Sequence, residues 1–278
     1  MISPYLALMK LRVVELLLVT TLPALFLASD GIPDLTITIA TLLGGTLAAG
    51  AANAFNMVIE SDIDRMMTRT SKRPIVNELI SEERALIFAY VIAIISLVIF
   101  WIFTNPLATA LTVAAIAFYV FGYTVGLKRR TSQNIVWGGI AGCLPVLIGW
   151  AAVTNSFSWT AFWFFLVIFF WTPPHFWALA IKYRDDYAAA GIPMLPVVAT
   201  KEEVAKQSWF HTIAMIITSL LTLYSAGFPI WSYVLTFLMG IAFAWQLRDM
   251  EGNSGKIFNG SISYLSLYSI LLVVGTFF

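Results

Sequence analysis

From residue 11 to the end of the chain, apolar runs of near-membrane length alternate with short breaks where charges, glycines and prolines collect. Cutting at those breaks predicts nine helical spans, at 11–28, 36–56, 86–104, 107–125, 134–153, 159–179, 209–227, 230–247 and 261–278. Each is close to the roughly 20 residues that an α-helix needs to cross a hydrocarbon core about 30 Å thick. Two cuts rest on little: Asn105-Pro106 alone divides 86–125, and Gly227 with Pro229 divides 209–247. The expected fold class is all-α, a polytopic membrane bundle of nine transmembrane helices forming a single domain over 1–278.

Composition agrees. Of 278 residues, 60% are hydrophobic and 11% charged, against roughly 45–50% and about 25% in soluble domains, so no water-soluble globule could cover its surface. A net charge of +1 excludes a nucleic-acid binder driven by bulk charge, and no nucleic-acid partner is expected. The lone Cys143 excludes a disulfide framework or cysteine metal cluster. The first span carries Glu15 and shows no clear cleavage context, which reads as a retained anchor rather than a signal peptide. All 16 Lys and Arg residues fall on one side of an alternating nine-span chain, whereas the other connections hold Asp30 and Asp34. By the positive-inside rule the N-terminus and the basic connections face the cytoplasm.

Two acidic helix ends then share that face. In the first, Asn56, Glu60 and Asp64 recur every four residues and form one stripe if the helix continues, with Asp62 off it. Stacked carboxylates repel, so a cation is expected between them, and hard oxygen ligands without Cys or adjacent His suit Mg²⁺. Arg65, Arg69, Lys72 and Arg73 follow, completing a receiver for a diphosphate bridged between metal and guanidinium groups. The plainer alternative is a solvated helix end of mutually neutralising pairs. In the second, Lys182, Tyr183, Asp185 and Asp186 end the sixth span. A purely solvated loop needs neither cluster, and two at one membrane depth suggest a diphosphate site at the mouth of an intramembrane cavity. Lys128, Arg129 and Arg130 serve orientation or attract an anionic substrate. His175, beside the expected kink at Pro173-Pro174, either hydrogen-bonds a neighbouring helix or faces the cavity to touch an acceptor.

These residues resemble the UbiA-type intramembrane prenyltransferases, in particular their protohaem IX farnesyltransferase branch. The general pattern is carried by Asn56, Glu60 and Asp64 and by Tyr183, Asp185 and Asp186. The branch is carried by LRVVELLLVT from Leu11, ESDIDRMMTRT from Glu60, TPPHFWALA from Thr172 and KYRDDYAAAGIPMLPVV from Lys182. Departures are local: Glu60 stands where Asp is usual, Ser61 where a basic residue is common, and Leu11 where many relatives have proline. The resemblance implies Mg²⁺-assisted transfer of farnesyl from farnesyl diphosphate to the C2 vinyl group of protohaem IX, with water added, in a bacterial inner membrane. Together with the reading of the residues above, it gives metal binding to Asn56, Glu60, Asp62, Asp64, Asp185 and Asp186, catalysis to the same set with Lys182 in place of Asp62, and substrate contacts to Arg65, Arg69, Arg73, Arg129, Arg130, His175 and Tyr183. Haem A synthase or a terminal oxidase would take the product. The nearest alternative is prenylation of an aromatic quinone precursor by the same fold, and a cation transporter or a structural oxidase subunit are the other classes weighed.

Overall fold

The computed structural model describes residues 3–278, the side chain of Val13 excepted, and the regular elements among the described residues are all helices, with no strand. The helices are α1 (Ser3–Met9), α2 (Leu11–Ser29), α3 (Leu35–Ile59), α4 (Ser61–Met66), α5 (Glu82–Phe103), α6 (Pro106–Ala117), α7 (Asn134–Gly138), α8 (Ile140–Thr154), α9 (Trp159–Lys182), α10 (Arg184–Ala189), α11 (Leu195–Val198), α12 (Lys201–Ser225), α13 (Ile230–Gln246) and α14 (Ser254–Gly275). A π-helical segment, Phe118–Leu127, continues α6. Each of the nine expected spans overlaps a helix, and 86–104, 209–227 and 261–278 overrun the helix end by one to three residues. By length and composition, seven helices among the described residues suffice to cross a membrane, or eight if α1 and Val14–Ser29, bent by 56°, count as one. The shortfall from nine is α12, whose first turns hold Lys201, Glu202, Glu203 and Lys206 and whose body is rich in Thr and Ser.

The weak cuts are real helix boundaries with local causes. The Asn105 side chain accepts from Ala108 N–H at 2.9 Å with Pro106 opening α6, the cap and N1 residue that helix starts favour. The Asn105 amide also donates to the Ala151 carbonyl at 2.6 Å, fixing the turn to α8. Gly227 takes a left-handed φ of 71° after α12, a conformation cheap only for glycine. Pro173 and Pro174 do not interrupt α9, which runs unbroken over 24 residues.

Packing divides the bundle into two lobes. One core joins α9, α12 and α14 around Phe164, Trp177, Leu223 and Tyr268; a second joins α1, α3 and α5 around Leu8, Phe55 and Ala89. In lipid, close packing replaces the hydrophobic effect as the source of helix association. At Gly44 a Cβ would lie 2.8 Å from the Phe100 ring, and Ser96 Oγ donates to the Gly44 carbonyl at 2.7 Å, so α3 and α5 meet nearly backbone to side chain. Between the lobes lies a cavity of about 320 Å³.

Candidate active site

The cavity narrows the candidates. Its α3 wall is a single helical stripe, Thr41, Gly45, Ala48, Ala49, Ala52, Asn53 and Asn56, at the spacing that places residues on one face. Its polar end is lined by Asn56 and by four cations, Lys10, Arg69, Arg73 and Lys128, with Tyr119 and Tyr123 beside them. The remainder is apolar, with Leu17, Pro145, Ile148, Ile168 and Trp171 among its walls.

The four-residue stripe past Asn56 is present: Glu60 N–H donates to the Asn56 carbonyl at 3.0 Å and Asp64 N–H to the Glu60 carbonyl at 2.9 Å. The expected repulsion within it is not. Glu60, fully buried, accepts from Lys128 Nζ at 2.5 Å, and Asp64, 2% exposed, pairs with Arg73. Asn56 accepts from Lys10 Nζ at 2.8 Å and donates to Thr124 Oγ at 3.1 Å. Thus the cations expected between the carboxylates come from the chain itself, and each carboxylate has its own. Asp62 stands off the stripe in an exposed bidentate pair with Arg129, at 2.8 and 2.9 Å. That guanidinium holds the Asp62 carboxyl below the usual carboxylate range and is itself pushed up by the carboxylate.

Lys128 reaches the cavity because of the π-helix. Bonds from residue i to i+5 put Tyr119 with Thr124, and Tyr123 with Lys128, on one side; Thr124 Oγ donates to the Tyr119 carbonyl at 2.9 Å and Lys128 N–H to that of Tyr123 at 2.9 Å. In an α-helix residues five apart would diverge by about 140°. Such windings recur at functional sites. Lys10 arrives differently, at the break between α1 and α2, with a left-handed φ of 51°.

The second cluster is less enclosed. Asp186 accepts from the Arg69 backbone N–H at 3.1 Å, and this bond above all lowers its carboxyl below the ordinary range. The Arg69 guanidinium lies 5.9 Å from the ring centres of Tyr183 and Tyr187, within cation–π range. Asp185 and Lys182 are exposed, as are Arg65 and Arg130; Lys182 borders a separate surface hollow with Tyr183 and Ser254. Glu15 and Arg12 are also exposed, so Glu15 does not turn into the bundle.

His175 does not line the cavity. Its ring is 4% exposed, sandwiched between Trp171 and Phe258 at 4.3 and 4.4 Å, with Nδ1 2.7 Å from Ser261 Oγ. It ties α9 to α14, so the expectation that it faces a substrate is corrected by this enclosure.

Does this donor set fit Mg²⁺? Among the described residues no three acidic, His or Cys side chains converge in a metal-binding group. Glu60 Oε1, however, is buried with no hydrogen-bond partner, a cost rarely left standing, and the donors are hard oxygens. That open oxygen on Glu60, with Asn56 and Asp64 on the same stripe, is the donor set that fits Mg²⁺.

The sequence pattern of the UbiA prenyltransferase family matches residues 17–257. The chain belongs to the UbiA prenyltransferase family. Similar members include the protoheme IX farnesyltransferase of Streptomyces avermitilis, 46% identical over 99% of this chain and 94% of that one. Protoheme IX farnesyltransferase 1 of Saccharopolyspora erythraea is 49% identical over 98% and 89%. The family fold is also seen in a structure of digeranylgeranylglyceryl phosphate synthase, with TM-score 0.81, 17% identity and coverage of 99% of this chain and 98% of that one. A UbiA homolog from Archaeoglobus fulgidus bound to GPP and Mg²⁺ gives TM-score 0.72, 16% identity and coverage of 98% and 99%.

Proposed function

We propose that the chain transfers a farnesyl group from farnesyl diphosphate to the C2 vinyl group of protohaem IX, giving haem O and diphosphate. The observation that carries this reading is the shape of the cavity: four cations at a polar mouth and an otherwise apolar interior, in a chain nearly half identical to protoheme IX farnesyltransferases.

Lys10, Arg69, Arg73 and Lys128 bind the diphosphate and neutralise the negative charge that grows on it as the allylic C–O bond breaks and the electron pair leaves with the phosphate oxygen. Tyr119 and Tyr123 present rings where the allylic cation forms, an electrostatically favourable neighbourhood. The vinyl terminus attacks that carbon, water adds to the adjacent carbon and one proton is released. The apolar walls keep other water away, so the cation is not quenched before it meets the acceptor. Held by Asn56, Glu60 and Asp64 on one side and Asp186 on the other, Mg²⁺ would supply further neutralisation of the leaving group. Asp62, Asp185, Lys182, Arg65, Arg129 and Arg130 line the approach.

The same reading places nine spans in a bacterial inner membrane, the N-terminus and both acidic helix ends cytoplasmic, and haem A synthase or a terminal oxidase downstream. It is tested by the mass of the porphyrin product when detergent-purified protein receives haem, farnesyl diphosphate and Mg²⁺, with hydroxybenzoate as a parallel acceptor. Prenylation of the hydroxybenzoate alone would overturn it. Labelling of a cysteine at position 70 only from the outer face would overturn the orientation.

A further inference from the structure

The far end of the cavity has features that the reaction at its mouth does not use. Its α3 wall runs from Asn56 to Thr41, fifteen residues or about 22 Å at 1.5 Å per residue. Gly45 lies about 16 Å along the same wall. A Cβ built on Gly45 meets nothing within 4 Å, and the same holds for Gly142 on α8. Both line the cavity, so these glycines leave open volume where most helix interiors would carry a side chain. One turn beyond Gly45, Thr41 is 1% exposed and its hydroxyl has no hydrogen-bond partner.

The donor chain has one direction to run. With diphosphate among the cations, C1 stands at the mouth, and the acceptor must also reach C1 there, its charged propionates turned to water. The prenyl chain therefore extends inward along α3. Drawn out, a farnesyl main chain spans about 14 Å at roughly 1.5 Å per carbon–carbon bond shortened by the zigzag, and each isoprene unit adds or removes about 5 Å. Farnesyl ends near Gly45, geranyl ends short of it, and geranylgeranyl reaches Thr41. Thr41, the last α3 residue to line the cavity and already closed off at 1% exposure, ends the groove there, so a longer donor meets its side chain rather than further open volume.

We propose that Gly45 and Thr41 gauge the prenyl donor, Gly45 by admitting the last unit of farnesyl and Thr41 by penalising the next. The inference rests on the farnesyl-transfer reading above. It is tested with Gly45→Ala, Gly45→Leu and Thr41→Ala, using geranyl, farnesyl and geranylgeranyl diphosphates as donors to haem. Gly45→Leu is expected to raise the geranyl-to-farnesyl ratio of kcat/KM on the order of tenfold or more, and Thr41→Ala, which deepens the groove, to raise the geranylgeranyl-to-farnesyl ratio by several-fold, the scale for small changes in an apolar pocket. Flat ratios in both, with haem still prenylated, would overturn the gauge and leave the reading intact. Non-hydrolysable thiodiphosphate analogues of the three donors, assayed by thermal shift without haem, separate the two ideas. If wild-type protein prenylates no haem, the reading fails, and the gauge then stands or falls on whether the analogue ratios shift. Should Gly45→Leu not fold, Gly45→Ala and Thr41→Ala decide by the same ratios, since the added methyl has room and alanine at 41 removes only two heavy atoms.

Discussion

The acidic ends of α3 and α9 look equivalent in sequence, each a run of carboxylates and basic residues closing an apolar helix, yet the protein encloses only one. At α3, Asn56, Glu60 and Asp64 are buried and each is held by a cation from elsewhere in the chain. At the end of α9, Asp185 is exposed and Asp186, itself only partly buried, accepts from the Arg69 backbone N–H on the other side of the mouth. The difference teaches that the α3 end is a prebuilt charge lattice, whereas the α9 end is a contact that forms when the two connecting segments meet. Substitutions at the first should therefore disturb folding and catalysis together, and those at the second catalysis alone.

The largest effect is expected from Lys128→Met. It leaves Glu60 charged and buried without its partner, and breaking buried pairs costs about 3–5 kcal/mol; a fall in thermal midpoint, partly recovered by added Mg²⁺, is the measurement. Asp64→Ala follows, with turnover down on the order of 10² to 10³, the scale for one strong transition-state contact. Because Arg73 is left unpaired, this variant should also be less stable without Mg²⁺, the reverse of what relief of carboxylate repulsion alone would give. Asp186→Ala should cost about tenfold in turnover, or about 1.4 kcal/mol, with thermal stability unchanged, and Asp185→Ala less still. If Asp185→Ala and Asp64→Ala prove equally damaging, the contrast between the two ends is wrong. Smallest is the exposed Asp62–Arg129 pair, worth under about 1 kcal/mol. Since its carboxyl is depressed from 3.8, its contribution is complete above the unfolded value and disappears only as pH falls through the lower folded one. Between pH 6 and 8, the difference in thermal midpoint between Asp62→Asn and the unsubstituted chain should be small and constant.

Hydropathy located the long helices but not the short α1, α10 and α11, because a chain in lipid must satisfy its backbone within each segment and apolar length records that demand only where the segment is long. It located the α3 stripe as well, since a period of four survives the change from α3 to α4. It did not find Lys10 or single out Lys128 from Arg129 and Arg130. Lys10 reaches Asn56 across the fold from a left-handed break, and neither the break nor the contact leaves a periodic signature. The register that aims Lys128 inward is not the 3.6-residue one on which periodicity depends. His175 was ambiguous for another reason: a proline-flanked histidine reads alike whether its neighbour is a ligand or Ser261.

That winding carries a consequence for gaps in the chain. Two successive five-residue turns hold two residues more than an α-helix needs to bring Tyr119, Thr124, Tyr123 and Lys128 to one side. Phe121 and Val125, 71% and 45% exposed, are the spare residues, one in each turn. Deleting Phe121 makes Tyr119 and Thr124 four apart; deleting Val125 does the same for Tyr123 and Lys128. Either deletion alone leaves one pair in each register and sets them at odds, whereas both together yield a plain α-helix with all four side chains still aligned at about 100° per residue. The double deletion should retain more transfer activity than either single one, an order that no account based on the number of lost residues would give.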